Sequence, residues 1–389
     1  MSSVLKPDSH QDAEEGSALL ADSAHRFLSS SIDPHIGEAE RTGAFPWAIW
    51  PEVARFGYLG ITLPVSSGGQ GMSYAELAIL MEAAGYHWLG LRALLNVHNM
   101  VAGVLARHGT AEQKSAYLLP LLRGELRVWV AITEPNVGSD VGAIETRARR
   151  QDGGFLVSGT KQWITNGGGN FGILLARTLS ETGEDLGLST FLVDRARAGY
   201  GVRPLDTMIL RSTGTSELTF DDMRLPPECL IGKLGDGLRT ILTTLNDGRL
   251  SVAAGAVGAA QCAFDLSLGY AGSRRQFGKP IAANQLIQQH LVEQAILVRT
   301  SRLLVQDAAR SLDAGRPARL ECSIAKKHAT EKAYRVADLA LQVHGGSGYS
   351  TDLPLERIFR DTRGGMIPEG TSEIQTLIIG RELTGLSAF

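Results

Sequence analysis

The 389-residue sequence is poor in cysteine, in aromatic side chains and in net charge. Its three cysteines, Cys229, Cys262 and Cys322, are scattered and odd in number. They make neither a disulfide framework nor a CxxC metal pair, which fits a reducing, cytoplasmic setting. There is no HExxH, no P-loop and no GxSxG elbow, and the histidines are mostly isolated. Metal catalysis and a serine triad therefore have no support. A formal net charge of −3 leaves no global basic footprint, so nucleic acid is not an expected partner. No run approaches the roughly 18 apolar residues of a membrane span. The polar N-terminus, with Asp8, Asp12, Glu14 and Glu15, reads as neither a signal nor an Arg-rich transit peptide. What remains is 43% hydrophobic and 20% charged residues, the balance of a globular protein with a sizeable core.

Residues 1 to about 10 carry little apolar surface and read as a disordered arm. Apolar residues then recur at helical spacing from Gln11 to Ser31 (Leu19, Leu20, Ala24, Phe27, Leu28) and from Phe45 to Tyr58. Pro64 and the Ser66–Gly71 cluster break the chain as a loop. Ser73, with Glu76 three residues on, predicts a capped helix to about Tyr86. Helices over 91–108 and 111–122 complete an all-helical first third. Near Leu126 the character changes to short β-type runs at 128–132, 155–159, 171–175, 190–193 and 218–220. Strands with turn signals and no helices between them predict a compact antiparallel barrel or sandwich. Long helices return at 238–273, 284–312, 320–342 and 371–386, the first rich in Ala and Gly and so able to pack closely. Residues 1–125, 126–235 and 236–389 are thus expected as three domains: helical, β, and helical bundle.

Gly167-Gly168-Gly169-Asn170-Phe171-Gly172 matches GxGxxG, but an apolar strand-like run follows where a dinucleotide fingerprint needs a helix. The Thr133–Asp140 loop offers hydroxyls and Gly-exposed amides that suit the edge of a polar heterocycle, a phosphate or a thioester chain. Its alternative is a simple Pro-Asn turn. Trp163 can stack on a flat ring and Thr165 can donate to one; the alternative is a strand with a core Trp. In Pro368-Glu369-Gly370-Thr371-Ser372-Glu373, Glu369 is either a residue at the start of a helix or a general base aimed into a pocket.

Taken together, these stretches resemble the acyl-CoA dehydrogenase family from about residue 15 onward. The motifs that carry the resemblance are ITEPNVGSD (132–140), KQWITN (161–166), RLSVAAGAVGAAQ (249–261), SRRQFGKP (273–280), NQLIQ (284–288), QVHGGSGYSTDLPLERIFRD (342–361) and PEGTSEIQ (368–375). The resemblance implies a mainly α fold with a central β-barrel: an N-terminal helical domain, the barrel and a C-terminal four-helix bundle, assembled as a homotetramer or homodimer. It also implies FAD and an acyl thioester, carried on CoA or on an acyl carrier protein. An electron-transfer flavoprotein or oxygen would be the electron acceptor.

By position, Ile132, Thr133, Ser139, Trp163 and Thr165 would contact the flavin. Arg274, Phe277 and Gln285 would hold the pyrophosphate and adenosine part from a neighbouring subunit, with Gln342, Gly345, Gly346, Thr371 and Glu373 in the same cross-subunit site. Arg249, Ser139 and Gly370 would meet the substrate. Without the motif, Arg274 and Arg275 read as a solvated helix end. Glu369 matches the family's base, and Glu373, one turn on, is its internal rival. A subgroup of the family places its base just before the helix Arg, where this chain has Gly248. Several stretches, including the C-terminal GRELTGLSAF, are similar to the glutaryl-CoA dehydrogenase subgroup. There Arg92 matches an Arg that holds a distal carboxylate; carrier-protein-linked relatives share this helix, and the alternative is an exposed helix Arg. Pro368, His344 and Val137 depart from the family pattern. The first two bear on the shape and polarity of the pocket.

Overall fold

A computed structural model describes residues 9–388, with side chains from residue 15. The expected N-terminal arm falls largely outside the described residues. The first third is helical: α1 Ser9–Ser31, α2 Asp33–Thr42, α3 Trp50–Phe56, α4 Tyr74–His87, α5 Leu89–His108, then α6 Ala111–Gln113 and α7 Leu119–Leu122 joined by a π-turn. The Ser73 cap is present as a capping box: its hydroxyl accepts from the Glu76 N–H while the Glu76 carboxylate accepts from the Ser73 N–H.

The middle of the chain is a sheet of eight strands, β1 Val128–Ala131, β2 Arg147–Gln151, β3 Gly154–Ile164, β4 Phe171–Leu179, β5 Asp185–Asp194, β6 Gly201–Pro204, β7 Ser216–Leu225 and β8 Leu230–Ile231. They pair in the order β6-β7-β3-β2-β4-β5-β8, with β1 beside β4. No pairing joins β6 to β8, so closure into a barrel is not found. The sheet is also mixed: β1 and β2 both run parallel to β4, pairing with its first and second halves in turn. The GxGxxG stretch is a turn between β3 and β4, with no helix after it.

The last third holds α8 Gly237–Leu242, α9 Leu245–Ser273, a small hairpin (β9 Arg275–Gln276, β10 Lys279–Pro280), α10 Gln285–Asp313, α11 Arg319–His344, α12 Gly346–Tyr349, α13 Leu355–Gly364 and α14 Ser372–Thr384. Glycine lets α9 lie directly on α4: a Cβ on Gly258 would strike the Glu82 carbonyl, and one on Gly85 would strike Gly255. By length and composition, α5 and the Gly237–Ser273 stretch would pass for membrane-crossing helices. Most of each apolar window is buried against the rest of the chain, which accounts for it.

Candidate active site

Four helices meet around Glu369. The residue lies in the turn before α14 with φ +57°, followed by Gly370 at φ +86°. Two successive left-handed residues swing the Glu side chain out of the helix start and back into the bundle; Gly accepts this freely and Glu does not. Gln375, one turn into α14 and fully buried, donates Nε2 to the carbonyls of Glu369 (2.9 Å) and Gly370 (3.1 Å). Lys326 of α11 donates Nζ to the Gly370 carbonyl at 2.7 Å. Thr371 caps α14, its hydroxyl accepting from the Ile374 N–H.

Part of Glu369 remains exposed, but its carboxylate is enclosed by α5 and α9. Oε1 accepts from Asn96 Nδ2 of α5 at 3.0 Å. On α9, a Cβ built on Gly248 would lie 2.9 Å from Oε2 and 3.1 Å from Cδ. The rival base position is therefore not merely empty: its space is taken by the Glu369 carboxylate. Burial raises the proton affinity of Glu369, while Arg249, the Asn96 hydrogen bond, Arg92 and Lys326 oppose it. Glu373 is exposed and lies outside this enclosure.

Arg92 is 6% exposed, which excludes the solvent-facing alternative. Its aliphatic stem lies where Gly255 leaves room, a Cβ there coming to 2.8 Å from both Cγ and Cδ. Its Nε has no hydrogen-bond partner. Burial lowers it to about 10, with Glu369 and Asp361 acting in the other direction. Arg249 is equally buried, one residue beyond Gly248, and donates Nη1 to Asn246 at 3.1 Å.

A second group lies on the sheet. Trp163, the penultimate residue of β3, has φ +62° and is 56% exposed, so it is no core Trp. Thr165, two residues on, and Thr133, whose carbonyl accepts from the neighbouring Gln162 N–H, are half-buried, and Ser139 is exposed. Two buried residues tie β3 to the Thr133 loop. Lys161 Nζ donates to the Ile132 carbonyl and to Glu134 Oε1, both at 2.8 Å. The other Glu134 oxygen accepts from the Glu145 N–H (2.7 Å), and the Gln162 N–H donates to the Thr133 carbonyl (2.9 Å). Burial works against the charge of Glu134, but Lys161 and the surrounding N–H groups hold it below the usual carboxylate range. The Pro-Asn turn is also there: Glu134 and Val137 exchange both backbone hydrogen bonds.

The third group lies elsewhere. Arg274 follows α9, 26 residues beyond Gly248, which at 1.5 Å per residue is roughly 39 Å along the helix. Arg274 and Gln285 are exposed, and Phe277 is 96% exposed at the hairpin tip. Gln342, in the last turn of α11, and Gly345 and Gly346, just beyond it, sit at the same end, with open space where a Gly345 or Gly346 Cβ would be. Within one chain these residues do not meet Glu369 or Trp163. Thr371 and Glu373 lie instead at the Glu369 end. His344 stacks on Tyr270 with ring centroids 4.3 Å apart and bonds the Ala340 carbonyl. It belongs to the Arg274 end, so it does not shape the Glu369 pocket. Val137 is buried among Ile144, Leu175, Leu188 and Ile241.

Asn96, Lys326, Gln375 and the Glu134–Lys161 pair were not foreseen. For Asn96 the signal was available, since it lies four residues after Arg92 on one face of α5. Lys326 occupies a position among Cys322, Ala325, Ala329 and Ala333 on the inward face of α11, where the periodicity calls for an apolar residue.

The donors suit a flavin: an exposed indole beside hydroxyls for a flat heterocycle, and, at the far end, Arg274 with side-chain amides for a pyrophosphate. Nothing in these groups suits a metal, and no cluster of three or more ligands occurs among the described residues. The chain matches the acyl-CoA dehydrogenase N-terminal domain over residues 14–125, the middle domain over 130–223 and the C-terminal domain over 235–384. It is 37% identical to an acryloyl-CoA reductase (NADH) of Anaerotignum propionicum, over 94% of this chain and 93% of that one. Among solved structures, a glutaryl-CoA dehydrogenase from Mycobacterium smegmatis superposes with a TM-score of 0.91 at 31% identity, over 99% of this chain and 97% of that one. A glutaryl-CoA dehydrogenase from the same organism, in complex with FADH2, gives 0.92 at 28% identity over 98% of both chains. The chain therefore belongs to the acyl-CoA dehydrogenase family, FAD-dependent enzymes that act on the CH–CH bond of acyl-CoA thioesters.

Proposed function

We propose that Glu369 is the base that removes the α-proton of the acyl thioester. The observation that carries this reading is the enclosure of its carboxylate between Asn96 and Gly248. A desolvated carboxylate is a stronger base than one in water, and the Asn96 donor aims it. The Glu369 backbone N–H has no acceptor among the described residues and is free to hold a thioester carbonyl as charge builds on it. FAD, held by Trp163, Thr133, Ser139 and Thr165 and, from a neighbouring subunit, by Arg274, would supply two-electron redox chemistry at the β-carbon in either direction. Glu369→Gln is expected to retain FAD yet lose flavin bleaching by acyl-CoA. Bleaching at the wild-type rate refutes the assignment.

The substrate reading rests on Arg92. A buried guanidinium whose Nε has no hydrogen-bond partner, and which makes no ion pair among the described residues, suits a polar or dicarboxylic acyl group. Arg92→Ala is expected to lower kcat/KM for glutaryl-CoA by about 30-fold or more, the scale of one lost charged hydrogen bond, with little effect on butyryl-CoA. Equal losses on both substrates remove the carboxylate role. A panel that includes carrier-protein thioesters decides between CoA and carrier protein.

The likeness to an acryloyl-CoA reductase supports a second reading, in which the same site runs in reverse and the acid form of Glu369 protonates the α-carbon. Oxidation of propionyl-CoA compared with reduction of acryloyl-CoA, on FAD-loaded protein, separates the two.

A homotetramer or homodimer completes the proposal. Val292, Ile296 and Leu303 form an apolar stripe on α10, each more than half exposed, and Phe277 is also bare. A mass of four or two copies is expected in solution, and Ile296→Glu is expected to lower it.

A further inference from the structure

Lys326 is fully buried on a helix face otherwise made of Cys322, Ala325, Ala329 and Ala333. Its Nζ makes one hydrogen bond, to the Gly370 carbonyl at 2.7 Å, and no ion pair among the described residues. Burial of an ammonium in such a place is costly, and a neutral side chain would fill the face at less cost. The carbonyl it holds belongs to the Glu369–Gly370 turn, whose left-handed conformation disfavours the Glu. Such a turn persists where neighbours over-determine it, and Lys326 and Gln375 are the two side chains that grip its carbonyls.

We propose that Lys326 is a positioning residue for the Glu369 base: its ammonium fixes the Glu369–Gly370 turn and, as a nearby positive charge, keeps the enclosed carboxylate ionised and ready to accept a proton. This inference rests on the reading of Glu369 as the base. The groups facing Glu369 are Arg249 from α9, Asn96 and Arg92 from α5, and Lys326 from α11; the charged ones all favour the carboxylate against its burial. Lys326 differs from both arginines in touching the backbone of the turn. Lys326 itself is lowered by burial to about 8, with Glu369, Glu331 and Glu373 raising it and Arg249 lowering it. Against that burial, the Gly370 carbonyl, which needs a donor, and the carboxylate of Glu369 favour the ammonium form.

The test compares Lys326→Met, Lys326→Gln and Lys326→Arg as FAD-loaded protein. Anaerobic flavin reduction by butyryl-CoA is followed across pH. Independently, the protonated-carboxyl band of Glu369 is titrated by difference infrared spectroscopy, assigned by its loss in Glu369→Gln. With Met or Gln, the acid limb of the rate and the band are both expected to move to higher pH by about one unit, the effect of removing one close opposite charge. Arg is expected to return both toward wild type. Met is expected to slow reduction more than Gln, because Gln still donates to the Gly370 carbonyl. A band that titrates as in wild type in the Gln variant overturns the charge role, whether or not the Met variant folds. Equal rates for Gln and Met overturn the anchoring role. Loss of the base reading is seen separately, as undiminished reduction by Glu369→Gln.

Discussion

Two glycines on α9 leave room for the side chains that make the site. Gly248 leaves room for the Glu369 carboxylate and Gly255 for the stem of Arg92. Because Arg92 is buried, a methyl group at Gly255 leaves its guanidinium no easy retreat. Gly255→Ala is expected to cost about 1–3 kcal/mol of stability, the usual penalty of overpacking. It should also depress turnover of glutaryl-CoA more than that of butyryl-CoA, while FAD content stays unchanged. Equal turnover losses separate the Gly255 position from the substrate role of Arg92. At this scale the motifs pointed to side chains whose placement suits the roles proposed for them: the Glu369 carboxylate is enclosed, Trp163 is exposed and Arg92 is buried. The sequence was least legible for lysines. Lys161 and Lys326 are both fully buried, against the strong expectation that a lysine is solvated. Only the fold shows that one holds the Thr133 loop and the other the Glu369 turn.

The elements that carry the site are fixed at their ends. Helix α4 packs on α9, and its N-terminus is satisfied twice: by the Ser73–Glu76 capping box and by Asp313, the last residue of α10, whose carboxylate accepts from the Tyr74 and Ala75 N–H groups at 2.7 and 3.1 Å. Ser73→Ala is expected to lower the denaturant midpoint by the equivalent of about 1 kcal/mol, the loss of a helix cap. Asp313→Ala should have a smaller effect, because its bonds are exposed to water. Long helices with strong periodicity were readable to within a few residues, α5 and α10 among them. Helix α13 was not, although Leu355, Ile358 and Phe359 stand at i, i+3 and i+4: they are its three large apolar residues in a short, otherwise mostly polar and charged stretch, so the pattern spans a single turn. The sheet was legible as strands but not as topology. Parallel pairing of β1 and β2 with β4 leaves no local signal, since strands far apart in sequence decide it.

Across the whole molecule, the three parts of the chain meet at Asp361. It lies on α13, is 3% exposed, and accepts from the Leu210 N–H of the middle segment at 2.9 Å. Leu210 itself takes the left-handed conformation at φ +50°. From the first segment, Glu40 of α2 approaches the same cluster, 3.9 Å from Arg360. Burial, then Glu40, push Asp361 up to about 7, with the Leu210 N–H, Arg360 and Arg357 in opposition. The folded state therefore binds a proton that the unfolded chain, with its ordinary carboxylate, releases near pH 4. The stability contributed by this group is fully present below that value and is lost as pH rises toward 7. Replacing the titrating oxygen should flatten this dependence. Asp361→Asn keeps an acceptor for Leu210 and cannot ionise. Between pH 4 and 7, wild-type stability is expected to fall relative to the variant with a slope of up to about 1.4 kcal/mol per pH unit, the limit for one proton. Urea midpoints of both proteins across that range measure the difference. Parallel curves would show that Asp361 is ionised throughout, and that Arg360 and Arg357 outweigh its burial where the three segments join.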